Sequence, residues 1–169
     1  MTSDLSASLL NVLREELDAY QRLADFLKHQ CQLIVQRRIE EMQHSIGEEE
    51  SLIRQTEQLG AVRSSAALAL AQNLGIQSDE SPRLSDLLPL LDTTTAADLS
   101  HIRENFLRLV DSLNDLIVTN QFLMAHALRL TAKRFAILEG VDDGNIVYAQ
   151  TGRRDPADQM TMKVIDRKI

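Results

Sequence analysis

The 169-residue chain has no tryptophan, one cysteine, three prolines and six glycines, and aromatic residues make up 4% of it. So few turn formers and aromatics favour helices over a β-sandwich, which needs β-branched residues and frequent turns. The single Cys31 excludes an internal disulfide and suits a reducing compartment. The glycines at 47, 60, 75, 140, 144 and 152 stand apart, so no glycine-rich loop can cradle a phosphate. No apolar run approaches the roughly 18 residues of a membrane span. The opening "MTSDLSASLLNVLREEL" has Asp4 and no Lys or Arg before its apolar residues, unlike a secretory signal. A cytoplasmic chain without membrane insertion is expected.

Charge excludes a further class. The net charge is −7, yet from Asn145 onward five Lys/Arg face three Asp, leaving the end at +2 and the rest at −9. An acidic body repels phosphate backbones, so nucleic acid is not an expected partner.

What the chain has is helical periodicity. Leu10, Leu13, Leu17, Tyr20, Ala24, Leu27, Cys31 and Ile34 alternate in steps of three and four, predicting a helix from about Asp4 to Gln36. Thr2, Ser3 and Asp4 offer capping oxygens. A second stripe starts at Ile39, Met42 and Ile46, weakens at Glu49 and resumes at Ile53. Arg37-Arg38 marks a turn before it, Gly60 a weak spot inside it, and Gly75 a stop near Leu74. In "IQSDESPRLSDLLPLLDTTT", Ser81-Pro82 can start a short helix that Pro89 disturbs. Thr95 and Asp98 form a capping-box-like pair before the last helix. Its stripe is Leu99, Ile102, Phe106, Val110, Leu113, Ile117, Asn120, Met124, Ala127 and Thr131, and it should reach Glu139, with Gly140 as the stop. Long one-sided helices must bury their stripes on each other. The expected fold is all-α: an antiparallel bundle of three or four helices, long ones and one short, over residues 1–140. Residues 141–169 are expected to form a flexible C-terminal partner-binding tail.

Catalytic chemistry finds little support. Glu41-Met-Gln-His44 and Asp98-Leu-Ser-His101 have the acid–histidine spacing of di-iron bundles. Met42 and Ile46 define the apolar stripe, however, which leaves Glu41 and His44 on its flank, and Asp98 suits the helix dipole. No metal or other cofactor is expected. Cys31 lies on the stripe between Leu27 and Ile34, the position of a packing residue rather than a nucleophile. Asn120 interrupts the last stripe; buried, it fixes register between helices, and at the rim of a twisted bundle it is merely solvated. No enzyme activity is expected.

The end of the chain differs from the rest. "NIVYAQTG" has β-prone Ile146, Val147 and Tyr148, and "MTMKVI" alternates Met160, Met162 and Val164 with Thr161, Lys163 and Ile165. Such a segment can order on contact, its apolar side chains filling a partner's pockets. Ile146, Val147, Tyr148, Met160, Met162, Val164 and Ile165 are the candidate partner-binding residues.

The whole chain resembles the FlgN family of flagellar export chaperones. "LIVQRRIEEMQHSIGEEESLIRQTEQL" is similar to the passage from the family's first helix to its acidic second one. "LNDLIVTNQFLMAHALRLTAKRFAIL" resembles its final helix, and "VYAQTGR" its Tyr-x-x-x-Gly tail element. Of the family's N-x-x-N-G, Asn120 keeps the second Asn, while Ile117 and Gln121 replace the first Asn and the glycine. The resemblance implies a cytosolic chaperone that binds hook-associated proteins of the hook–filament junction and prevents premature assembly. It would use the end of the last helix and the tail. The resemblance also implies delivery to the cytoplasmic domain of the export gate, with Tyr148 helping to dock. The alternative is a structural or regulatory coiled-coil interaction protein, for which the heptads would serve a homodimer.

Overall fold

The computed structural model describes residues 2–76 and 82–138. Among them are three long helices and one short, with no strand: α1 Thr2–Val35, α2 Ile39–Asn73, α3 Leu84–Leu87 and α4 Thr93–Leu138. The all-α expectation holds, as do the main helix boundaries to within a few residues.

Helix α1 is the centre of the bundle. It packs along α2 on one side and α4 on the other, while α2 and α4 make little or no close approach to each other. It therefore buries more than one stripe. Beside the expected Leu13, Ala24, Leu27 and Ile34, it buries Leu9, Glu16, Ala19, Leu23, Phe26, Gln30 and Leu33, while Leu10, Leu17, Tyr20 and Cys31 are half-buried. Leu9, Leu13, Glu16, Tyr20, Leu23, Leu27, Gln30 and Ile34 form a second heptad row, masked in the sequence because two of its members are polar.

The α1–α2 turn puts Arg37 at φ 61°, a left-handed conformation that side chains disfavour. Arg37 and Arg38 donate their N–H groups to Ile34 and Leu33, closing the end of α1. Helix α2 then runs back past α1. Leu70 and Ala71 meet Leu9 and Leu13, and Thr2 Oγ1 donates to Asn73 Oδ1 at 2.8 Å. Gly60 does not break it. At φ +82°, Gly75 ends α2 with Ile76 N–H donating to the Ala71 carbonyl at 2.9 Å.

Helix α3 plugs this lower end. Leu84 and Leu87 insert among Leu9, Leu13, Leu70, Ala71 and Leu99. Pro82 and Arg83 precede it without helix, and it passes into a 3-10 turn at Leu88–Leu90 that contains Pro89. Helix α4 starts earlier than the Thr95–Asp98 pair suggests. The Asp92 carboxylate accepts the Thr95 N–H at 3.0 Å, so Asp92 is the cap. That bond holds the Asp92 carboxyl below the usual carboxylate range.

Candidate functional site

Four layers fix the level of α4 against α1, and the two run in the same direction. Leu99 and Ile102 lie with Leu9 and Leu13, and Phe106 meets Tyr20 edge-on, ring centroids 5.0 Å apart. Leu113 packs on Leu23, Ala24 and Leu27. Asn120 then donates from Nδ2 to the Leu27 carbonyl at 2.9 Å and to Gln30 Oε1 at 3.1 Å. Gln30 Nε2 in turn donates to Glu49 Oε2 at 2.9 Å, so one polar layer ties α4 through α1 to α2. Asn120 is 4% exposed, which decides between its two readings: it is an interhelical residue and not a rim residue. Its Oδ1 has no hydrogen-bond partner among the described residues.

A second polar contact crosses the core lower down. Glu16 is buried on α1, and Arg63 of α2 donates from Nε to its Oε2 at 2.8 Å. Burial raises the Glu16 carboxyl above the ordinary glutamate range, and the Arg63 cation offsets part of that. The Tyr20 hydroxyl is also raised, by burial first and then by the Glu16 charge. Sequence reasoning missed Glu16, Gln30 and Arg63; the available signal was that Glu16 and Gln30 keep heptad spacing with leucines on both sides.

Above Asn120 the arrangement changes. With Asn120 level with Leu27, the end of α1 at Val35 falls at about residue 128 of α4, so the last ten or so residues of α4 rise roughly 15 Å beyond it. The predicted row continues there through Met124, Ala127 and Thr131 to Leu138, with Leu128 and Phe135 on its flank. Below Asn120 the row is buried; above it, Leu128 is 68%, Phe135 60% and Leu138 80% exposed. Phe122, stacked on His126, and Ile137 add further exposed apolar surface. From Leu116 to Leu138 there is no acidic residue, whereas Arg129, Lys133 and Arg134 are cationic. In an acidic protein this helix end is basic and apolar. An exposed apolar helix face of this kind is one that a partner helix can cover.

The acid–histidine pairs do not converge. Glu41 pairs with Arg38, the His44 ring lies against the Glu40 carbonyl at 2.6 Å, and the His101 ring is 3.4 Å from Asn105 Nδ2. Among the described residues no group of three His, Cys, Asp or Glu could hold a metal ion, and no helix is long and apolar enough to cross a membrane. Cys31 is half-buried on α1. Ile146, Val147, Tyr148, Met160, Met162, Val164 and Ile165 lie outside the described residues.

A helical bundle whose described residues leave an apolar helix end exposed has the surface of a protein-binding protein. Its family is the FlgN protein family, whose model matches residues 1–156, and the chain belongs to it. The family is one of flagellar export chaperones, in agreement with the resemblance read from the sequence. No curated protein and no solved structure matches the chain.

Proposed function

We propose that this chain is a cytoplasmic chaperone of flagellar type III export. It holds hook-associated proteins, keeps them from assembling early and delivers them to the export gate. The observation that carries this reading is the exposed apolar surface of the α4 end, formed by Leu128, Phe135 and Leu138. A client segment that becomes helical only on assembly would find there the apolar partner face that α1 supplies lower down, and its own assembly surface would be masked. In this reading residues 141–169 supply further client contacts, with Ile146, Val147, Met160, Met162, Val164 and Ile165 as anchors and Tyr148 as the contact to the gate.

Binding of purified hook-associated proteins to three forms of the chain tests this: the full sequence, Leu128→Asp/Phe135→Asp, and a chain ending at residue 141. The full chain should bind, the α4 variant should lose most of the affinity, and the shortened chain should bind more weakly. Equal binding by the full chain and the α4 variant would remove α4 from the mechanism. Tyr148→Ala should keep client binding but reduce secretion in a motility assay; normal secretion would dismiss its role at the gate. The coiled-coil alternative expects self-association with no client bound by any form.

A further inference from the structure

The first half of α2 keeps an apolar row in solvent. Residues 39–55 include no buried side chain, and Ile39, Ile46 and Ile53, spaced by seven, are 46%, 46% and 40% exposed. The surroundings of this row are acidic: Glu40, Glu41, Glu48, Glu49, Glu50 and Glu57 stand against Arg54. At the same end of the bundle, the exposed end of α4 has the opposite sign, with Arg129, Lys133 and Arg134 and no acid. Charge therefore tells the two uncovered apolar surfaces apart.

A segment of this chain outside the described residues has the chemistry that complements α2. Met160, Met162, Val164 and Ile165 are apolar, and Lys163, Arg167 and Lys168 outnumber Asp166. We infer that residues 160–168 cover the exposed row of α2 in their own chain. Their apolar side chains lie on Ile39, Ile46 and Ile53, and their cations stand beside Glu48 and Glu50. Glu50 has an exposed ion pair with Arg54 at 3.7 Å, which it can exchange at little cost. The same segment on the end of α4 would set cations against cations, so charge selects α2.

The chain can make this return. Leu138 stands roughly 15 Å beyond the end of α1, and Ile46 lies about 10 Å below the start of α2. Residues 139–159 can bridge roughly 25 Å as a coil and about 70 Å at full extension. A tether of that reach gives the segment an effective concentration on the order of millimolar, so weak contacts suffice to hold it. The docking belongs to the unloaded chain and needs no client. Under the function proposed above it has one consequence: a client must draw its anchors off α2, while the end of α4 stays open to start binding.

A spin label on Thr161→Cys, in the full chain with Cys31→Ala, tests the docking through the backbone amide signals of the same molecule. Signals of residues 39–53 should broaden, and those of residues 128–138 should stay sharp. Glu48→Lys/Glu50→Lys should lower the ratio of docked to released segment about tenfold, and so should Lys163→Glu/Arg167→Glu. The two pairs combined should restore it. Ile46→Asp should release the segment with helical circular dichroism unchanged, since this side chain is exposed. Broadening should persist on dilution and be absent when the spin label and the observed amides are on different molecules. Broadening confined to residues 128–138, broadening between molecules, or none at all overturns the inference. So does broadening that ignores the charge reversals. No client enters the experiment, so its outcome is separate from whether α4 binds hook-associated proteins.

Discussion

The buried Glu16–Arg63 contact makes a prediction whose size can be worked out. Glu16 is 1% exposed, and its carboxylate is held in the core by the Arg63 guanidinium. Arg63→Met keeps the apolar stem and removes the cation. A lone buried carboxylate costs about 3–5 kcal/mol. Glu16 can escape that cost by taking a proton, and neutralising an ordinary glutamate costs about 3.7 kcal/mol at pH 7 but about 1 kcal/mol at pH 5. The loss caused by Arg63→Met should therefore be roughly 3–4 kcal/mol at pH 7 and shrink to about 1 kcal/mol at pH 5. Glu16→Gln, which keeps the shape and an acceptor for Arg63, should cost little at pH 7, and Glu16→Gln/Arg63→Met should recover most of what Arg63→Met loses. The native pair has its own sign. Burial raises the folded-state pKa of Glu16, so the folded chain binds its proton more tightly than the unfolded one. Stability falls as pH rises between the unfolded and folded pKa values, and Glu16→Gln should abolish that slope. Urea unfolding followed by circular dichroism at the two pH values measures all of this. A loss from Arg63→Met that is the same at pH 5 and pH 7 would refute the reasoning, because it would show a packing defect rather than a stranded charge.

Three further substitutions probe the frame that presents α4. Asn120→Leu strands the Gln30 amide oxygen and removes a second donor from the Leu27 carbonyl, and should destabilise by about 1–3 kcal/mol, less if Gln30 is changed to Leu as well; urea midpoints of the single and double variants decide. Arg37→Gly relieves the left-handed residue at the end of α1 and should stabilise by up to about 1 kcal/mol, read as a higher melting temperature. Asp92→Ala removes the cap of α4 and should lower the melting temperature at neutral pH. Because the native Asp92 carboxyl has a lowered pKa, its contribution is present above the ordinary carboxylate range and lost as pH falls through the folded value, so the two chains should converge in acid.

Much of this architecture was legible in the chain, for a definable reason. Leucine and isoleucine at heptad spacing announce a helix and its buried face together, and α4 follows its predicted stripe from Leu99 to Asn120. The same rule failed where burial was polar. Glu16 and Gln30 occupy core positions because Arg63, Glu49 and Asn120 approach them from other helices, and no local pattern reveals partners 19 to 93 residues away. The start of α4 was misplaced because a Thr-x-x-Asp pair offers the same capping chemistry as the Asp92 that does the capping three residues earlier. Hardest to read was the uncovered surface. The residues of α4 past Asn120 look like those before it; what differs is that α1 has ended, and where one helix ends beside another is a property of packing, not of either sequence.

That mismatch in length bears on how the surface can work. An isolated helix of ten or so residues is marginal in water, because its first turn fixes several dihedral angles for one hydrogen bond. The end of α4 does not face that cost, since it propagates from a helix already held by Asn120 and the layers below. Its composition suits propagation: Ala125, Ala127, Leu128, Arg129, Leu130, Ala132, Lys133, Arg134, Ala136 and Leu138 are all strong helix formers. The stripe is thus presented in its binding geometry before any partner arrives, and a partner helix has only its own ordering to supply. Fully burying each of Leu128, Phe135 and Leu138 would return about 1.5–3 kcal/mol. That is enough to order a short client segment but well short of permanent capture, which is the range a chaperone needs if it must also release its client.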